Sequence, residues 1–228
     1  MSAKFSIIIP CYNEASNIPE IISQIEILCT QQSFEFIFVN NGSTDESAEI
    51  LSSTLSENIK VIHLPQNAGY GGGIKAGIQQ ARGQFIGWIH ADLQYSLIDS
   101  LSSLGFFTKN FAFIKGKRRG RKRIQSILTL IMSLFESLLF RCNLNDINAQ
   151  PTVFHRDLLQ HASNMPDDFS IDLYTYLMAR KFGFSICRFE VIFAERKHGK
   201  SSWNTGVKSV FRMSTRTIRY SLSLRRSI

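Results

Sequence analysis

The stretch Asn67-Ala68-Gly69-Tyr70-Gly71-Gly72-Gly73-Ile74-Lys75-Ala76-Gly77 runs shortly into Phe85-Ile86-Gly87-Trp88-Ile89-His90-Ala91-Asp92-Leu93-Gln94. Five glycines fall within residues 69 to 77. Each costs conformational entropy and contributes no side chain, so they read as a loop whose backbone approaches a ligand, not as packing. The run 85 to 89 is apolar and aromatic, as in a strand covered on both faces. It delivers Asp92 to the carboxyl end of that strand, where open α/β sheets bind ligands. A carboxylate beside a glycine-rich loop points to a metal-bridged diphosphate. A tight turn with an N-capping Asp is the plainer alternative.

Working outward, residues 5 to 9, 34 to 39, 60 to 64, 111 to 114 and 185 to 193 also read as strands. Helices are expected near 18 to 28, where Ser16 or Asn17 can cap and Ile18, Ile21, Ile22, Ile25 and Leu28 share a face. Others are expected at 46 to 55, 74 to 82, after Leu97, at 124 to 141 and at 170 to 182. Strand–helix alternation with short loops implies right-handed crossovers and a mainly parallel α/β sheet with helices on both faces.

The 228 residues fit one domain. The four cysteines are scattered without a CxxC pair, which argues against a zinc site or disulfide framework and fits a reducing cytosol. The start, Met1-Ser2-Ala3-Lys4, has no signal-peptide pattern. No apolar run approaches the ~20 residues of a spanning helix. Net charge is +8 but unevenly spread: residues 115 to 123 carry seven Lys/Arg, residues 196 to 228 carry nine, and neither stretch has an acid. Such segregation suggests an anionic partner. Neither stretch has aromatics spaced for base stacking, which argues against nucleic acid.

Three strand ends turn polar on one side of the sheet: Pro10-Cys11-Tyr12-Asn13-Glu14, Asn40-Asn41-Gly42-Ser43 and His90-Ala91-Asp92-Leu93-Gln94. Together they form a nucleotide-sized cleft. These segments, with Asn67 to Gly71, Asp146 to Pro151, Phe154 to Asp157 and Glu195 to Trp203, keep order and spacing over most of the chain. The chain resembles a family-2 glycosyltransferase of the GT-A fold, close to the dolichol- and polyprenyl-phosphate sugar synthases.

The resemblance implies a nucleoside-diphosphate sugar held by Pro10, Tyr12, Asn13, Glu14, Asn41, Gly69, Gly71, Lys75, Ala91 and Asp92. It implies a Mg²⁺ or Mn²⁺ ion on Asp92 and Gln94, and an acceptor or diphosphate site at Arg118, Lys122, Ser126, Arg196, Lys200, Ser201 and Trp203. Two positions depart from the pattern. The usual Asp-Asp is Asn40-Asn41, and the first Asp of Asp-x-Asp is His90, a poor Mg²⁺ ligand but a fair Mn²⁺ ligand. Asp172 stands where relatives that glycosylate hydroxyls keep a base, so Asp92 and Asp172 are the candidate catalytic residues. A phosphate acceptor needs no base.

Residues 126 to 140 hold ten apolar residues, too few to span and suited to a membrane interface, or else to an ordinary core helix. Residues 204 to 228 mix apolar and basic residues as a surface anchor or partner-binding helix. The expected organisation is a catalytic domain over 1 to 203, its nucleotide-sugar half ending near 98, followed by that basic tail. Inverting sugar transfer to a membrane-held polyprenyl phosphate is the leading reading, on the cytoplasmic face of a membrane. Transfer to a saccharide or lipid hydroxyl with Asp172 as base, and a degenerate anionic-surface binder, remain alternatives. The oligomeric state stays open, a homo-oligomer included.

Overall fold

The computed structural model describes residues 4–30, 33–54, 56–102, 104–107, 112–197 and 207–227. Strands β1 (Phe5–Cys11), β2 (Phe34–Asn41), β3 (Ile59–Leu64), β4 (Phe85–Trp88), β5 (Ala112–Arg119), β6 (Thr152–His155) and β7 (Ser185–Ile192) form one seven-stranded sheet in the order β3-β2-β1-β4-β6-β5-β7. β1, β2, β3 and β4 run parallel, as does β5 with β7. β6 is antiparallel to both its neighbours. Only β6 escaped the sequence reading. Its four residues are too few to display a period.

Helices α1 (Ile18–Cys29), α2 (Ser47–Ser52), α3 (Tyr70–Gln80), α4 (Leu97–Leu101), α5 (Arg123–Phe140), α6 (Ser170–Lys181) and α7 (Val207–Ser227) complete the chain. Two apolar cores lie on opposite faces of the sheet. Ile7 and Ile9 of β1 point into one with Ile21 and Ile25 of α1, whereas Ile8 points into the other with Ile74, Trp88 and Ile171. This alternation is the pleat of a strand covered on both sides. The order places the carboxyl ends of β1, β2 and β4 side by side, which builds the cleft.

The glycine-rich segment differs from expectation. Gly71, Gly72 and Gly73 lie in the first turns of α3, four residues before its expected start. Gly69 takes a positive φ of 81°, and the N–H groups of Gly71 and Gly72 donate to the Asp167 carbonyl at 2.8 and 3.2 Å. A Cβ at Gly71 would clash with the Pro166 carbonyl, and one at Gly77 would stand 2.5 Å from Ile8 Cγ2. These glycines therefore do serve packing: they seat α3 on β1 and on the segment before α6.

Two helices also depart from the pattern. α6 is buried almost all round rather than amphipathic. The basic tail is a helix, α7, packed on the domain: Leu224 is buried, and Ser221 donates to Glu136 of α5 at 2.7 Å. Asn17 stands at the N-cap of α1, but its side-chain amide donates to Glu14 instead of capping.

Candidate active site

The cleft, of about 240 Å³, is lined by Pro10, Tyr12 and Glu14 after β1, Asn41 at the end of β2, and His90, Ala91 and Asp92 after β4, with Arg196 reaching over them. Each was expected there. Cys11, Asn67, Tyr70 and Phe169 line it too. Tyr70 belonged to the motif that drew attention to the region; Phe169 carried no sequence signal. Tyr70 stacks on Phe169, ring centroids 4.6 Å apart, and so joins α3 to the start of α6 across the cleft wall.

Asp92 is almost fully buried. Its Oδ1 accepts the Gln94 N–H at 3.1 Å, a local turn closed by Leu93 at φ 53°. Its Oδ2 accepts from Arg196 at 2.9 Å, and the same guanidinium lies 3.6 Å from Glu14. Burial pushes Glu14 up to about 7 against the opposing pull of Asn17 and Arg196. Two carboxylates converging on one arginine form a site poised to exchange partners when an anion arrives.

Other expected residues do different work. Asn41 donates to the Gly69 carbonyl at 2.9 Å and accepts the Ala68 N–H at 2.9 Å, clamping the 67–69 turn to β2. Asn13 accepts the Thr44 N–H at 2.8 Å, tying two cleft loops together. Gly69 and Gly71 face the 166–167 backbone rather than the cleft. Lys75 pairs with Asp167 at 2.5 Å. The Gln94 side chain donates to the Ala194 carbonyl at 3.2 Å, so its amide is turned toward segment 193–197 and away from Asp92. Lys122 pairs with Glu195 at the surface, and the Ser126 hydroxyl donates to the Lys122 carbonyl. Lys200, Ser201 and Trp203 lie outside the described residues.

Asp172 is corrected most sharply. It is 1% exposed, beneath the cleft floor. Its Oδ1 accepts from Thr152 at 2.9 Å, from Lys115 at 3.2 Å, and from Gln150 and Trp88 at 3.3 Å. Burial pulls Lys115 down to about 8, with Asp172 opposing. A carboxylate with four donors on one oxygen and no route to the surface positions neighbours rather than taking a substrate proton. Gln150 carries the connection onward: its amide also donates to the Tyr70 hydroxyl at 3.2 Å, and that hydroxyl lies 3.0 Å from His90 Nε2. Burial holds His90 below its usual pKa against the pull of Asp92.

No three His, Cys, Asp or Glu side chains among the described residues converge to hold a metal. The donor set still fits one ion whose remaining ligands come from substrate. Asp92 offers a hard carboxylate oxygen, suited to a Mg²⁺ or Mn²⁺ that is held largely by phosphates. His90 Nδ1 lies 3.9 Å from Asp92 Oδ2.

Arg118, the expected acceptor contact, is engaged with Asp146: its backbone N–H and its Nε each donate at 2.8 Å, and NH2 donates to Oδ1. Burial alone would raise the Asp146 carboxyl, but Arg118 holds it below the usual range.

The comparisons agree with this geometry. A Pseudomonas fluorescens protein named undecaprenyl-phosphate 4-deoxy-4-formamido-L-arabinose transferase is 40% identical over 94 residues, 39% of this chain and 28% of that protein. A Pectobacterium carotovorum protein of the same name is 26% identical over 205 residues, 87% of this chain and 62% of that one. The chain thus spans less than two thirds of these relatives. Among solved structures, glucosyl-3-phosphoglycerate synthase from Mycobacterium tuberculosis, in complex with Mn²⁺, uridine diphosphate and glucosyl-3-phosphoglycerate, superposes with a TM-score of 0.73 at 17% identity, covering 99% of this chain and 81% of that one. A mannosyltransferase from Pyrobaculum calidifontis in complex with GDP-Man and Mn²⁺ gives 0.63 at 18% identity, covering 87% and 59%. Both likenesses show the shared fold, that of GT-A glycosyltransferases. Residues 6–139, more than half of the chain, match the family described as Glycosyl transferase family 2, and the chain belongs to that family.

Proposed function

We propose that this chain transfers a sugar, with inversion, from a nucleoside-diphosphate sugar to a polyprenyl phosphate at a membrane surface. The observation that carries this reading is the buried Asp92, held by Arg196 at the carboxyl ends of β1, β2 and β4. An anionic diphosphate entering the cleft takes up Arg196, which then neutralises the leaving group as charge develops. Tyr12, Asn67 and Pro10 wall the nucleotide side. Tyr70 and Phe169 wall the opposite side and exclude water from the anomeric carbon. A divalent ion on Asp92 would add further charge neutralisation to the departing diphosphate.

Two features favour a phosphate acceptor. Asp172 is sealed beneath the floor, and a phosphate needs no base. The relatives' names also specify an undecaprenyl-phosphate acceptor.

α5 supports the membrane. Ile124, Leu130, Leu134 and Leu138 of this helix are all more than half exposed. At 18 residues it is long and apolar enough to cross a bilayer by length and composition, contrary to the sequence expectation. Its inward Ser133 accepts the Asp146 N–H, and its inward Glu136 binds α7, an arrangement suited to lying along a surface.

The test is nucleoside-diphosphate release from nucleotide sugars, with and without a prenyl phosphate and Mg²⁺ or Mn²⁺. Release stimulated by the prenyl phosphate supports the reading, and none with any donor sinks it. Asp92→Ala should lower kcat/KM by about 10²–10³-fold while the melting temperature stays near that of the parent.

A further inference from the structure

Seven cations crowd residues 115 to 123, yet the fold neutralises most of them. Lys115 pairs with Asp172, Arg118 with Asp146, Lys117 and Arg119 with Glu190, and Lys122 with Glu195. Among the described residues, Arg121 and Arg123 have no carboxylate partner. Arg123 is exposed at the start of α5. Arg121 is turned inward: NH1 donates to Thr129 Oγ1, and its guanidinium lies 5.6 Å from the centre of the Phe193 ring, which also carries Arg118 at 5.8 Å. The Nε of Arg121 is buried without an acceptor.

Arg188 of β7 adds a third guanidinium. It donates to the carbonyls of Asn145 and Gly116, and its Nε is likewise buried without an acceptor. Three guanidinium groups therefore share the single carboxylate Asp146 around a cavity of about 450 Å³. A buried N–H without an acceptor is costly, and adjacent like charges raise that cost unless an anion joins them.

Arg118, Arg121, Thr129 and Ser133 also wall an adjoining groove of about 270 Å³ lined by Leu128, Met132, Ile147 and Leu173. That groove ends at Phe169, which lines the sugar-nucleotide cleft. A cationic pocket, an apolar groove and the cleft are thus contiguous.

We propose that Arg121, backed by Arg188, binds the phosphomonoester of the acceptor, and that the groove between α5, α6 and α7 receives the first units of its apolar chain. Arg118, committed to Asp146, positions Arg121 through Phe193 instead of holding the phosphate itself. This rests on the sugar-transfer reading above and assigns its acceptor site. A phosphomonoester carries about −1.5 to −2 charge near pH 7, which matches the two guanidinium charges that Asp146 leaves over. A free phosphate would satisfy the cations and leave the groove empty; a prenyl alcohol would do the reverse.

The test is calorimetry on the full chain with farnesyl phosphate, inorganic phosphate, farnesol and UDP or GDP. Farnesyl phosphate should bind at least about tenfold more tightly than inorganic phosphate or farnesol. Arg121→Gln should weaken it about ten- to a hundredfold, with Arg121→Lys recovering part of the loss and nucleotide binding unchanged. Arg121 is half-exposed, so these variants should fold, and melting curves check this. Equal affinity for inorganic phosphate overturns the groove, and an unweakened Arg121→Gln overturns the phosphate contact. If nucleotides bind normally in that last case, only this assignment falls. If Arg121 matters for farnesyl phosphate but no nucleotide binds, the acceptor site stands and the sugar-transfer reading falls.

Discussion

Helices α1 and α5 are both amphipathic, and they face opposite ways. α1 buries Ile18, Ile21, Ile25 and Leu28 against the sheet and turns its polar residues to water. α5 buries Ser133 and Glu136 and turns Ile124, Ile127, Leu130, Ile131, Leu134 and Leu138 outward. The contacts beneath α5 explain the inversion. Ser133 accepts the Asp146 N–H at 3.1 Å, Ser137 accepts the Leu144 N–H at 2.9 Å, and Glu136 accepts from Ser221 of α7 at 2.7 Å. Those hydrogen bonds fix the helix rotation and leave its apolar stripe outside. A patch of that size on a soluble surface marks an interaction site. The difference shows that an apolar stripe does not by itself say which side is inside; the partners of the polar stripe decide that.

The sharpest way to break the comparison is a matched pair of truncations. Ile21→Ala in α1 should cost about 2–5 kcal/mol of stability, whereas Leu134→Ala in α5 should stay within about 0.5 kcal/mol. Urea unfolding measures both, and equal losses would mean that the α5 face is covered in the folded protein.

Next comes the outer face itself. Leu130, Leu134 and Leu138 replaced together by Ser should reduce co-sedimentation with anionic vesicles roughly a hundredfold, at about 1 kcal/mol per side chain. Their melting temperature should not fall. Unaltered vesicle binding would shift the anchor to α7 and its arginines.

The smallest effect concerns the inner face. Burial pushes Glu136 up to about 7 from an ordinary 4.5, opposed by the Ser221 hydroxyl. The folded protein therefore holds a proton that the unfolded chain gives up, so stability falls as pH rises from about 4.5 to about 7. Glu14, raised to about 7 by burial, acts in the same direction. Glu136→Gln should flatten part of this slope and raise stability above pH 7 by about 1–2 kcal/mol. Thermal melts from pH 5 to 8 read it, and an unchanged slope would mean that Glu136 is solvated.

Much of the fold was legible because parallel strands buried on both faces announce themselves as apolar runs. β1, β2 and β4 did so, and their polar ends gave Pro10, Tyr12, Glu14, Asn41, His90 and Asp92 as cleft residues. The glycines of 69 to 77 marked the right place for the wrong reason. Sequence shows that backbone must come close to something, and only the folded chain shows that the something is Ile8 and the 166–167 backbone. Asp172 reads in sequence as a helix-start carboxylate, and nothing local shows that Lys115, Thr152, Gln150 and Trp88 converge on it.

Sequence alone determined the alternation of strands and helices, the cleft edge, the family resemblance and the placing of an apolar helix after a basic run. Each of these rests on local periodicity, on turn chemistry or on a motif of a few neighbouring residues. Tertiary structure alone decided the antiparallel β6, the rotation of α5, the pairing of cations in 115 to 123 with distant acids, and the isolation of Arg121. These depend on partners far apart in the chain, which the spacing of neighbours does not encode. Seven positive charges in nine residues look like one basic surface in sequence. The fold divides them, because β5 sends alternate side chains to opposite faces of the sheet, where Asp172 and Glu190 await different members of the run.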